Sequence, residues 1–367
     1  MMDLFGDFSV SSTGTRSFRT ILTFQTGFSS EVAKPAAYAF DVTDPASPVL
    51  LWERTTPSAP GVYDLGAGLR TMVGRSIVGT SGTLSNVVVL QTNNGGSGTA
   101  GVVATALQVE TGARLWQFGS IYPTVAAVPA TGMPGGAVGV DRKGNGYLTD
   151  VVFGDLYGRL WRVDLKTGTS AYGTTPVFQF SSARHPIGAA PAIYSNGNTL
   201  YAAFASGGYA DPTGTSWNVA NQYAIAVKLS PTATPVDETT TACQAGCNLQ
   251  VKQTITGSYG SAQATVIGTS LYVVTDSSDI SSATFGSTQT ATGKLTTIQL
   301  SSGSASSVAI YSGVGSLAVA KTASGATLYG AGNDKQQQVA ADLSTIGGTK
   351  LDNVDPKMAR KLWLRTQ

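Results

Sequence analysis

Asp141, Lys143, Asn145, Tyr147 and Thr149 occupy alternate positions of one short segment, with Gly144 and Gly146 between them and Asp150 directly after. Calcium takes about six to eight hard oxygen ligands, and a compact loop supplies them from alternate side chains and one backbone carbonyl. Asp141, Asn145, the Tyr147 carbonyl and Thr149 are therefore candidate calcium ligands, with Asp150 standing one residue beyond the usual closing place. Lys143 falls where an oxygen donor is expected. Its ammonium can pair with Asp141 in place of a metal, or swing out while water completes the shell. The alternative for the same residues is a Gly-rich hairpin held by Asx-turns.

Other residue types that could do chemistry are few. His185 is the only histidine; it precedes Pro186, no serine or cysteine beside it marks it as a general base, and a structural role is expected. Cys243 and Cys247 lie in a short loop whose Gly246 lets the chain fold back, so a disulfide and an oxidising compartment are expected, with two free thiols as the alternative. Two cysteines and one histidine cannot fill a closed zinc site.

The elements that would position these residues read as strands. Asp141–Asp150 runs into Val151-Val152-Phe153, a Gly154-Asp155 turn, and Leu160-Trp161-Arg162-Val163-Asp164-Leu165, which is the pattern of a loop built into a sheet. Similar units recur in Tyr38–Glu53, in Ala106–Gln117 and in Leu160–Gly168, and fainter copies run through Tyr223–Leu229 and Leu295–Gly303. The spacing of Trp116 and Trp161 is close to the length of one four-stranded propeller blade, and the chain length then predicts about seven or eight blades. Alternation in Ala-Leu-Gln-Val-Glu predicts Leu107 and Val109 between stacked blades, with Gln108 and Glu110 toward solvent. Trp52, Trp116 and Trp161 are predicted as packing residues at the seams rather than ligand platforms. Polar insertions at Asn93–Gly98, Gly207–Trp217 and Pro231–Asn248 are predicted as rim loops, where Tyr209, Trp217 and Tyr223 suit polar or glycan contacts.

Composition agrees with this reading. Of 367 residues only 12% are charged and 44 are glycine, which suits many short strands joined by tight turns and gives helices little to work with. The formal charge of +2 is spread without a basic stripe, which argues against nucleic acid as a partner. No apolar stretch approaches the roughly 20 residues of a membrane span, and Met1–Gly6 lacks the pattern of a secretory leader. The expected fold is all-β, a single β-propeller over residues 1–367 with antiparallel blades.

The succession "VGVDRKGNGYLTDVVFGDLYGRLWRVDL", then "SARHPIGAAPAIY", then "YAAFASGGYADP", resembles the C-terminal propeller of the PilY family, called PilC in some lineages, of type IV pilus tip and biogenesis proteins. "YAFDVTDPASPVLLWE" and "ALQVETGARLWQF" resemble that family's earlier blades, and the ordered matches run from about Phe5 to Pro212. The resemblance implies a modified seven-bladed propeller on an exported, cell-surface protein at the pilus tip. It implies minor pilins and a host or abiotic surface as partners, and roles in pilus extension, attachment and twitching motility. It also implies a calcium loop on Asp141, Asn145, Tyr147 and Thr149, linked to control of retraction, with Lys143 and the displaced Asp150 departing from the pattern. Family members carry a long N-terminal region with a von Willebrand A-like domain, so the chain is expected to be the C-terminal portion of a longer protein.

Two other classes compete. Quinoprotein dehydrogenases share a Trp-stapled propeller and use calcium, but rely on adjacent cysteines, whereas Cys243 and Cys247 are separated by three residues. A non-adhesive envelope assembly scaffold would share the packing and need no metal. A non-enzymatic binding module is the expected function.

Overall fold

The computed structural model describes residues 3–10, 16–26, 36–55, 71–79, 81–91, 104–119, 133, 135–155, 157–173, 175–181, 185–207, 221–229, 236–242, 248–256, 259–260, 262–276, 292–311, 316–322, 325–331 and 336–340. Every regular element among them is a strand, and none is a helix able to cross a membrane. The strands form six antiparallel sheets, and in most of them consecutive strands are neighbours. This is the outcome expected where Gly- and Thr-rich turns interrupt short apolar runs.

The first sheet holds β1 (Asp3–Val10), β2 (Arg16–Gln25), β3 (Ala36–Asp41) and β4 (Val49–Thr55). The second holds β5 (Met72–Val78), β6 (Thr83–Gln91), β7 (Ala104–Gln108) and β8 (Arg114–Phe118). The third, β9 (Ala137–Val140), β10 (Asp150–Gly154), β11 (Arg159–Asp164) and β12 (Phe178–Gln179), carries the Asp141 loop between its first two strands. The fourth is β13 (Ala192–Asn196), β14 (Thr199–Ala205), β15 (Asn221–Lys228) and β16 (Leu249–Thr256). The fifth combines β17 (Tyr259–Gly260), β18 (Thr265–Ile267), β19 (Ser270–Asp276), β20 (Thr292–Gln299) and β21 (Ala305–Tyr311), with β17 and β18 both pairing β19. The sixth is β22 (Ser316–Thr322), β23 (Gly325–Ala331) and β24 (Gln336–Ala340).

The chain divides into two compact units, the first holding residues up to Phe153 together with Arg162–Thr174, the second holding Gly154–Trp161 and the described residues from Thr175 on. In the first unit a core of Ile21, Ala37, Ala39, Trp52, Val88, Leu90, Leu107 and Val109 joins the first two sheets. In the second, Ala203, Ala226, Val251, Leu271, Val273 and Ile298 join the fourth and fifth.

The central strands do not alternate. Ala104, Thr105, Ala106 and Leu107 of β7 are all fully buried, as are Val151, Val152 and Phe153 of β10 and Ala224 through Val227 of β15. Alternation marks a sheet with one wet face, whereas these strands have both faces covered. Gln108 and Glu110, expected toward solvent, are half-buried.

Among the described residues one turn is built three times. After β7, Gly112 N–H donates to Gln108 O and Gln108 N–H to Ala113 O; after β11, Gly168 to Asp164 and Asp164 to Thr169; after β20, Gly303 to Gln299 and Gln299 to Ser304. All three glycines have φ between 64 and 71°, the left-handed region that disfavours a side chain. The last strand of the preceding sheet seals onto two of these turns through an indole. Trp52 on β4 donates Nε1–H to Val109 O at 2.6 Å, and Trp116 on β8 donates to Leu165 O at 2.9 Å. A Cβ on Gly112 would lie 2.7 Å from the Trp52 ring and one on Gly168 would lie 2.5 Å from Trp116, so the ring needs the glycine. Trp52 and Trp116 are thus seam residues, as expected. Trp161 is not equivalent: it stands on β11, a third strand, so its spacing from Trp116 does not measure a repeat.

Candidate functional site

The connection from β9 to β10 is organised by Asp141. Its Oδ1 accepts the N–H groups of Lys143 and Gly144 at 3.1 and 2.8 Å, and its Oδ2 accepts that of Gly146 at 2.7 Å. Asn145 Oδ1 accepts from Tyr147 N–H at 3.1 Å, a second local turn of the same kind. The base of the loop is fixed by Thr149, whose N–H donates to Val140 O at 2.8 Å, and by the Asp150–Val140 pair that opens the ladder. Leu148 ties the loop sideways to β5. Its N–H donates to Arg75 O at 2.7 Å, its carbonyl accepts from Ser76 Oγ at 2.7 Å, and its side chain fills the space left by Gly74 and Gly139.

Asp150 lies under this loop with its side chain 1% exposed. Arg162 on β11 donates Nε–H to Oδ1 at 2.9 Å, and Arg142 from within the loop donates Nε–H to Oδ2 at 2.5 Å, beside the Thr149 hydroxyl at 2.5 Å. The Arg162 side chain is 4% exposed and that of Arg142 46%. Arg162 also reaches the Tyr172 hydroxyl at 3.4 Å, and burial pushes the Tyr172 phenol above its usual range.

Of the five expected ligands four therefore fall into two groups, while Tyr147 is held through its N–H on Asn145. Asp141 and Asn145 cap backbone amides at the tip, while Thr149 and Asp150 sit at the base with two guanidinium groups. These residues do not fit a calcium ion. Both Asp141 oxygens already face N–H donors, and both Asp150 oxygens face arginine, where a divalent cation would meet like charge. No group of three His, Cys, Asp or Glu side chains placed to hold a metal occurs among the described residues. Nor does an ion pair join Lys143 to Asp141 among them; Lys143 is exposed, and the cation that enters the loop is Arg142. Sequence reasoning missed Arg142 because its partner lies outside the alternating set.

A second polar centre follows immediately. Asp155, fully buried, accepts the N–H groups of Tyr157 and Arg159 at 2.8 and 3.0 Å, Arg159 Nε–H at 2.8 Å and Trp161 Nε1–H at 2.8 Å. The Arg159 guanidinium carbon lies 4.6 Å from the Tyr157 ring centroid and 5.4 Å from that of Trp161. Trp161 thus bonds its indole within its own hairpin, where Trp52 and Trp116 bond theirs to the next sheet. Spacing at 155, 157, 159 and 161 is the signal that could have found this hub.

His185 is 6% exposed and sits among rings, 4.8 Å from Phe180 and 5.4 Å from Tyr223 between centroids. Ser206 Oγ accepts from Tyr223 N–H and donates to Gln222 Oε1 at 2.6 Å. The same oxygen contacts His185 Nδ1 at 3.2 Å, which places the proton on Nδ1. Burial holds the imidazole below its usual pKa, against smaller upward pulls from the Gln222 bond and Glu238. A satisfied core histidine is what this geometry describes. Tyr223, expected on a rim loop, lies instead on β15 opposite Thr254 and faces this cluster.

Asn93–Gly98, Tyr209 and Trp217 lie outside the described residues, as do Cys243 and Cys247 with their expected disulfide. Of Pro231–Asn248 the described part is 236–242 and 248, where Asp237 accepts from Thr239 and Thr240 and Glu238 accepts from Ser181.

No family model and no curated protein matches the chain. Among solved structures it is similar to the crystal structure of the Pseudomonas aeruginosa PilY1 C-terminal domain, at a TM-score of 0.61 and 16% identity, over 92% of this chain and 83% of that one. The likeness is one of fold, and that fold is the all-β propeller expected from the sequence.

Proposed function

We propose that the chain is a propeller module of a type IV pilus-associated protein, acting at the cell surface without catalysing a reaction. The observation that carries this reading is the match of fold along 92% of the chain to the PilY1 C-terminal domain, on top of the ordered segments that resemble the same family. In this reading the stacked sheets form a stiff support at the fibre tip. Minor pilins hold it there, and loops at its rim meet a host or abiotic surface, supporting pilus extension, attachment and twitching motility.

A non-enzymatic role is favoured by the chemistry of the buried polar groups. Asp150 and Asp155 are each committed to guanidinium partners, and His185 Nδ1 is committed to Gln222, so these groups hold strands together rather than wait for a substrate. Dye reduction with an added quinone should show no activity above background.

Deletion of the gene tests the pilus reading. Surface pili and twitching should be lost, and pili should return when retraction is also disabled. Unchanged piliation and motility in the deletion strain would overturn it.

A further inference from the structure

We propose that Arg142 closes the Asp141–Asp150 loop in place of a divalent cation, so that this hairpin is locked by the chain's own charge and does not respond to calcium. The inference rests on geometry within one sheet and not on the pilus assignment. A metal in such a loop would tie the tip to the base by accepting oxygen lone pairs from both. Here the two jobs are divided. At the tip, three backbone N–H groups take three of the roughly four lone-pair sites of Asp141, each within 3.1 Å. At the base, Arg142 and Arg162 take separate oxygens of Asp150. Arg142 is the link between them, because it leaves the chain one residue after Asp141 and ends on a carboxylate eight positions later.

The charge balance points the same way. Two guanidiniums on one buried carboxylate leave the base with an excess positive charge, so a dication would be repelled there rather than recruited. Arg142 is also half-exposed, so burial does not force it onto Asp150; the bond must offset the ordering of a long side chain. A charge-assisted bond to a desolvated carboxylate does so.

Thermal melting and amide exchange of the purified chain test this together. The melting temperature of the unaltered chain should be the same in millimolar calcium and in chelator, because a ligand selective for the folded state would raise it. Arg142→Ala should fold, since the side chain is half-exposed, and its Gly144, Gly146 and Thr149 amides should exchange about tenfold faster, the factor expected from losing a charge-assisted bond. Arg142→Gln, which keeps stem length and a neutral donor, should fall between the two and carries the comparison should the alanine variant not fold. A calcium-dependent rise in melting temperature of the unaltered chain would overturn the proposal. So would exchange at these three amides that Arg142→Ala, or Arg142→Gln in its place, leaves unchanged.

Discussion

Gln250 on β16 donates Nε2–H to the carbonyl of Leu300 at 3.2 Å, which is the bond Trp52 makes to Val109 and Trp116 makes to Leu165. In all three the donor stands on the last strand of one sheet, and the acceptor is the second residue of the repeated glycine turn in the next. A glutamine has thus taken the place of an indole. The Tyr194 hydroxyl donates to the other end of its amide at 2.5 Å, and burial drives that phenol far above its usual range.

Replacing Gln250 with alanine leaves the Leu300 carbonyl without its side-chain donor and the Tyr194 hydroxyl without an acceptor. A loss of about 1–3 kcal/mol is expected from these buried groups. Trp116→Phe, which removes the same type of bond but keeps ring packing, should cost less than Trp116→Ala, for which about 3–5 kcal/mol is expected. Denaturant unfolding of the variants checks both.

The glycine turns separate two sources of strain. Gly303→Ala meets nothing within 4 Å, so only the positive φ opposes it, at about 1–2 kcal/mol. Gly168→Ala has the same φ and also drives a methyl into Trp116, so it should cost clearly more, about 2–4 kcal/mol. Equal melting temperatures for the two variants would contradict the seam geometry.

Asp155→Asn keeps shape and removes charge. It leaves the Arg159 guanidinium, 9% exposed, beside an amide that presents its own N–H groups, and about 3–5 kcal/mol of stability should be lost. Near-ultraviolet circular dichroism should report the altered packing of Trp161.

His185 gives the pH dependence a sign. Its pKa in the folded chain is held below the ordinary 6.5 by burial, so the unfolded chain binds a proton more readily. The stability this contributes is fully present above that value and is lost as pH falls through it toward the folded pKa. Asp41 and Asp237, whose carboxyls are held low by bonds from Thr43 and from Thr239 and Thr240, lose stability only below the ordinary 3.8. As pH falls from 6.5 toward the ordinary carboxylate range the decline follows histidine, and His185→Asn should flatten it. Urea midpoints across this range measure the difference.

The architecture was legible where its cause is local. Gln108–Gly112, Asp164–Gly168 and Gln299–Gly303 each follow the last-but-one strand of their sheet with the same hydrogen-bonded turn, and each carries glycine at the position with positive φ. Burial on both faces was not legible, because Thr105 and Ala104 look the same in sequence whether or not another sheet covers them. The loop was read through its alternating oxygens, which drew the cation to Lys143; the true partner of Asp150 is chosen by where β10 and the loop base meet, and that is a property of the ladder. Gln250 was invisible for a simpler reason: amide and indole share one donor and little else.

The forward reach of the seam bonds gives the chain a direction. Trp52 and Trp116 each stand ready before their acceptors at Val109 and Leu165 have emerged, and Gln250 waits in the same way for Leu300. During synthesis from the N-terminal end, the first, second and fourth sheets each gain this closing bond only when the next sheet has formed. A break after β4 or β8 would orphan one indole donor, while a break after the following turn would leave a closed joint.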